Sequence, residues 1–368
     1  LSTINAENYP NIKAPTNVRP CCAFGDMHKV IVGSVPVPFL RLNNVVELSE
    51  IGPHKFASGI YYYTLPSASL ISRSGGENNG IFYTRHGGFI DLAHVRDTAD
   101  DSVGMFFEVL ANLGKSHRID LVSELGPRYI QLNEFSVEHL TEKQKWNIAA
   151  HLSARLAYFK AESHEIAQWH GHTSFAGYPE YVSAYSPEDL YSNMLGALLA
   201  QHLILQRQVL TELTYNQNLT VWLKASFREL GIVDKNTSKE VLAAVDGDWW
   251  DSTVRLPDKF LVLKRHYELG DKQSPYLLSK ENIKSSVADL QPLTKVEPVD
   301  LSLPRIVESV NLDDIATLIM EIEPYYVPTF SHIPKHIWQN GFTHHDFPII
   351  ARYAEEADKQ ELSKRQVK

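Results

Sequence analysis

The run Ser163-His164-Glu165-Ile166-Ala167-Gln168-Trp169-His170-Gly171 begins like the zinc-hydrolase pattern HExxH. In that pattern two histidines four residues apart share one helix face and bind Zn2+, and the glutamate acts as general base. Here Gln168 stands where the second histidine belongs. His170 lies about 120° round an ideal helix from His164, so the two make no helical pair. The run supplies one imidazole, His164, and one carboxylate, Glu165, and a metal would need further ligands from elsewhere.

Two other segments offer them. In Gly87-Gly88-Phe89-Ile90-Asp91-Leu92-Ala93-His94-Val95-Arg96, Asp91 and His94 have helical i, i+3 spacing. They face one side, fit to ligate an ion or to form a carboxylate–imidazole pair. In Ser186-Pro187-Glu188-Asp189-Leu190-Tyr191-Ser192-Asn193, Ser186 reads as a helix N-cap and Pro187 as the first helical residue. That leaves Glu188 or Asp189 for a distant carboxylate ligand. Joined, the three segments suggest a metal-dependent hydrolase. Asp91, His94, His164 and Glu188 or Asp189 would hold a divalent cation, zinc first, and Glu165 would deprotonate a bound water.

Each piece also has a plain structural reading: His164 as a satisfied core histidine, Asp91 as a helix cap, Ser186–Asp189 as a helix start. A non-enzymatic envelope or secretion-linked protein with structural polar clusters is therefore the competing expectation. A third is a thiol enzyme. The only two cysteines, Cys21 and Cys22, are adjacent; they read as thiols, as a strained vicinal disulfide, or as a nucleophile with His86 or His94 as base and Asp91 orienting it. Thr343-His344-His345-Asp346 has metal-site composition, but adjacent side chains diverge. His332 and His336 are separated by Pro334, which disrupts a helical pair.

The Cys-Cys pair after Arg19-Pro20, the Gly87–Arg96 stretch, His164-Glu165-Ile166-Ala167 with Trp169 and Gly171, and Ser186–Asn193 together resemble a bacterial family of exported proteins. This is domain of unknown function 4056, and the resemblance spans roughly residues 17–355. It implies a bacterial origin and a periplasmic or secreted location, with envelope or secreted partners. It implies no activity.

The elements that would position these residues can be sketched. Residues 1–20 read as an extended arm, 21–355 as one large domain and 356–368 as a polar tail, frayed from Lys359. Strands are expected at Val30–Val32, Val45–Val46, Tyr61–Thr64, Ile81–Thr84 and Phe260–Leu263. Helices are expected from Asp91 past Met105, over Lys143–Ile166, from Ser186 to about Thr214, over Val221–Leu230 and over Leu312–Ile322. The helix after Ser186 is apolar almost all round, which makes it a central buried helix. Strands come first and helices follow, giving an α+β class with a strand-rich N-terminal part packed on a mostly helical centre.

Composition narrows the function classes. The chain has 368 residues, 43% apolar and 21% charged, enough to bury a large core without staples. A net charge of −9 with no basic run disfavours nucleic acid. The apolar run Leu195–Leu205 carries Gln201 and His202 and is too short to span a membrane. No glycine-rich phosphate loop is present. The first residue is Leu1, consistent with an exported chain whose signal peptide has been removed.

Overall fold

The computed structural model describes residues 12–19, 22–57, 77–174, 179–283 and 288–366. The expected strand at Tyr61–Thr64, and Cys21, lie outside them. The class is α+β. Strands β1 (His28–Val32) and β2 (Val35–Leu42) form an antiparallel pair, and β3 (Ile81–Thr84) and β4 (Gly88–Asp91) a hairpin. That hairpin feeds α1 (Leu92–Ala111) directly, followed by the hairpin β5 (His117–Leu121) and β6 (Arg128–Leu132). Four helices come next: α2 (Glu142–Trp169), α3 (Asp189–Leu205), α4 (Glu212–Glu229) and α5 (Lys235–Ala244). The remainder holds short elements: β7 (Arg255–Leu256), β8 (Lys272–Gln273), β9 (Leu301–Ser302), β10 (Ile306–Val307), β11 (Val310–Asn311), α6 (Leu312–Ile315), β12 (Ala316–Met320), α7 (Lys335–Trp338) and β13 (Phe342–Thr343). It closes with the long helix α8 (Phe347–Gln366).

Helices α1, α2 and α3 pack mutually and make the centre. Each begins where local chemistry requires it. Asp91 Oδ1 accepts from the Ala93 and His94 N–H groups, satisfying two of the orphan donors of α1. Thr141 and Gln144 form a reciprocal capping box at α2. α1 and α3 touch backbone to backbone at Gly196, where a Cβ would sit 2.2 Å from the Val95 carbonyl oxygen. Nearly every α1 position is buried, because β3, β4, α2, α3 and the residue 12–18 segment surround it. The sheet β13–β12–β6–β5 is antiparallel throughout and covers α2. A second, smaller apolar core gathers Phe24, Phe89, Trp249, Trp250 and Leu261.

Several expectations are corrected. The helix expected to run from Ser186 to Thr214 is two: α3 stops at Leu205, Arg207 turns the chain with φ 57°, and Thr211 caps α4. The helix expected over Val221–Leu230 is the second half of α4, whose buried stripe begins only at Tyr215, past the expected end at Thr214. Ser186 is not the cap of α3; Glu188 is, and the Ser186 carbonyl accepts from Asp189 N–H. Leu312–Ile322 is one helical turn followed by strand β12, whose burial alternates strictly, as a half-buried strand demands. Of Phe260–Leu263, the first two residues lie in a 3-10 turn over Lys259–Leu261, and Val262 makes only an isolated bridge to Trp250. The hairpin β5–β6 falls between two expected helices, where no element is expected. The last residues do not fray at Lys359, since α8 continues to Gln366.

Candidate metal centre

The start of α1, the late turns of α2 and the start of α3 converge on His94. Its Nδ1 lies 3.1 Å from Asp91 Oδ2, and its Nε2 lies 3.5 Å from Asp189 Oδ1 and 3.8 Å from Glu165 Oε1. Asp91, His94 and Asp189 each offer a ligand atom within 4.8 Å of the others. Glu165 enters from α2, with its Oε2 fixed by the Tyr185 N–H at 2.7 Å. Glu188 precedes α3 and is buried with the rest. Two atoms bound to one ion at about 2.1 Å, at angles of 90–110°, stand about 3.0–3.4 Å apart. The spacings round His94 Nε2 are close to that.

Four buried carboxyl groups, Asp91, Glu165, Glu188 and Asp189, thus face one imidazole. Glu165 Oε1 and both oxygens of Glu188 are buried with no hydrogen-bond partner, as is Asn193 Nδ2, while Asp91 Oδ2 and His94 Nδ1 face only each other. Buried polar atoms without partners are rare and costly, and a run of them round one point signals a missing charge. Titration tells the same story. Burial and the charge of Asp91 push Glu188 up to about 8. Burial pushes Asp189 up strongly, and Glu165, Glu188 and Asp91 reinforce it against the pull of His94. Burial pulls the His94 imidazole down, but Asp189 and Asp91 outweigh it and hold it well above its ordinary value. Without a cation, Glu188 and Asp189 hold protons far more readily than ordinary carboxyls.

A narrow cavity of about 50 Å3 reaches His94, Glu165 and Asn193 from outside. It adjoins a wider cleft of about 470 Å3, and the two share Asn17, Val18, Glu124, Arg128 and Lys160. The 15–18 segment forms one wall of the inner cavity, and Arg19 anchors it in a buried ion cluster beyond.

Of the residues singled out in the sequence, Asp91, His94, Glu165, Glu188 and Asp189 come together. His164 lines the same cavity but its Nδ1 pairs with Glu124 at 2.9 and 3.0 Å, beside His172. Burial lowers the His164 imidazole, and Glu124 more than reverses this. Sequence reading missed Glu124 and His172. His170 stacks on Phe330 at 3.8 Å and is pushed down to about 3 by burial. His344 stacks on Phe159 and bonds Asp313, whose carboxylate also takes Arg155 and Arg305. Pro334 is the N-cap of α7, so His332 and His336 lie on either side of a helix start. Cys22 packs against the second core, and His86 Nδ1 bonds the Glu297 carbonyl.

The family described as Protein of unknown function (DUF4056) matches residues 9–279. The match covers well over half of the chain, which therefore belongs to this family, and it takes in every residue of the cluster round His94. No curated protein and no solved structure matches. Among the described residues, no helix is long and apolar enough to cross a membrane.

Proposed function

We propose that the protein is a metal-dependent hydrolase whose divalent cation binds at Asp91, His94 and Asp189. The reading rests on one observation: unpaired, buried carboxylate oxygens ring a single imidazole at the end of a cavity. Asp91, His94 and Asp189 each place one donor atom within 4.8 Å of the other two, and Asp189 Oδ1 lies 3.5 Å from His94 Nε2. The carboxylate-rich donor set suits Mn2+ better than the Zn2+ expected from sequence.

Glu165 Oε1 is the unpaired oxygen next to that position and serves as general base. It takes one proton from a water at the cation as the water oxygen attacks the substrate's carbonyl carbon or phosphorus. The bond to the leaving group breaks, and the leaving group departs with the proton from Glu165. Glu188 and Asn193 complete the polar wall.

The test is turnover of chromogenic ester, amide and phosphoester substrates by protein loaded with Mn2+. Wild type is expected to hydrolyse at least one class. Glu165→Gln is expected to lose turnover by 10²–10⁴-fold while still binding the metal. No turnover of any class by the loaded wild type, or full activity in Glu165→Gln, overturns the reading.

A further inference from the structure

We infer that Glu124, His164 and His172 form a second divalent-cation site, suited to zinc, between the inner cavity and the outer cleft. It does not depend on the reading of the His94 cluster. The site is made by the way α2 ends. Gly171, at φ +99°, lets its N–H reach the Gln168 carbonyl at 3.1 Å and the His172 N–H reach the Ala167 carbonyl at 2.9 Å. This pair of bonds is a Schellman turn. It folds the chain back over the last turns of α2 and sets the His172 ring 6.1 Å from the His164 ring.

Glu124 comes from the turn between β5 and β6. Arg128 grips it at 2.7 Å and is itself fixed by the Val122 carbonyl and the Ser163 hydroxyl. One ligand atom from each of Glu124, His164 and His172 lies within 4.8 Å of the other two. An ordinary histidine–glutamate pair explains His164 and Glu124 but not His172, whose ring makes no hydrogen bond among the described residues. His164 lines the inner cavity, His172 the outer cleft, and Glu124 both. Two imidazoles and one carboxylate, with a side open to solvent, form the donor set of zinc sites that keep one exchangeable position. The ion takes the place of the direct contact between His164 Nδ1 and Glu124, and its open position faces the 470 Å3 cleft.

The test is zinc content after metal stripping, reloading with Zn2+ and dialysis, in wild type, His172→Ala and Asp189→Asn. His172→Asn is the second variant should alanine disturb folding, and thermal melts confirm the fold of each protein. The expected result is that both His172 variants retain one equivalent fewer than wild type, while Asp189→Asn keeps the equivalent they lose. Equal zinc in wild type and folded His172 variants overturns the second site. A single equivalent lost only in Asp189→Asn overturns it too but supports the His94 cluster. A single equivalent lost only in the His172 variants upholds the second site.

Discussion

Two buried ionic clusters hang on the same helix, and only one of them is complete. Toward the middle of α1, Asp97 and Asp100 meet Glu77, with Arg19, Arg96 and His54 among them. Every carboxylate there has donors: Arg19 serves all three, and Asp100 also receives His54 Nε2 at 2.6 Å and the Tyr215 hydroxyl at 2.7 Å. Arg96 donates to His54 Nδ1, so the neutral ring carries its proton on Nε2 toward Asp100. At the start of the same helix, four carboxyls face His94 and several oxygens have nothing. Both clusters are equally hidden from water, so burial does not separate them. What separates them is charge matching: the first holds its cations in side chains, and the second leaves room for one from solution.

The two clusters should therefore respond with opposite signs when a charged side chain is removed. Arg19→Met removes the cation shared by three buried acids and is expected to cost about 3–5 kcal/mol in denaturant unfolding; a loss under 1 kcal/mol would show that the first cluster is not the anchor described here. Next in size, Mn2+ at about 100 times its dissociation constant should stabilise the wild type by about 2.7 kcal/mol, read as a rise in Tm over protein in chelator. No rise would place the His94 cluster alongside the first as a structural network.

Acid tests the complete cluster. Burial raises the Asp100 carboxyl, while His54, Arg19 and the Tyr215 hydroxyl bring it down to about 2, below its ordinary 3.8. A depressed carboxyl adds stability above its unfolded value and loses it as pH falls through the folded one. Roughly 2 kcal/mol should thus vanish between about pH 5 and pH 2, and Asp100→Asn should flatten that part of the profile. The smallest effect has the reversed sign. In chelator, Glu188→Gln relieves repulsion and should stabilise by about 1 kcal/mol, while reducing the Mn2+ response. A clear destabilisation in chelator would mean that Glu188 has a partner and the cluster is not short of a cation.

The contrast also marks how far the sequence could be read. Asp91 and His94 were legible because a cap and an i, i+3 pair are set within one helical turn. Glu188 and Asp189 were legible as a helix start, although the cap falls on Glu188 rather than Ser186. The role of His164 was not legible. Its partner Glu124 sits on a hairpin forty residues earlier, in a stretch to which sequence reading assigned no element. His172 did leave a trace: a glycine just past a helix end predicts the turn that folds the next residue back. The eye was on His170, which the same turn sends the other way, against Phe330. Arg19 was passed over as part of an extended arm, because only the folded chain brings Glu77 and Asp100 to it.

The missing side chain of Gly196 sets a gauge. Val95 follows His94 on one helix, and Gly196 lies two turns beyond Asp189 on the other, so their backbone contact fixes how far apart the two proposed ligands stand. Oxygen ligands sit about 2.1 Å from Mg2+ but about 2.4 Å from Ca2+. A methyl group at position 196 would wedge the helices open by more than that difference. Selection between small and large ions would then be decided seven residues from the nearest ligand, by an atom that glycine lacks.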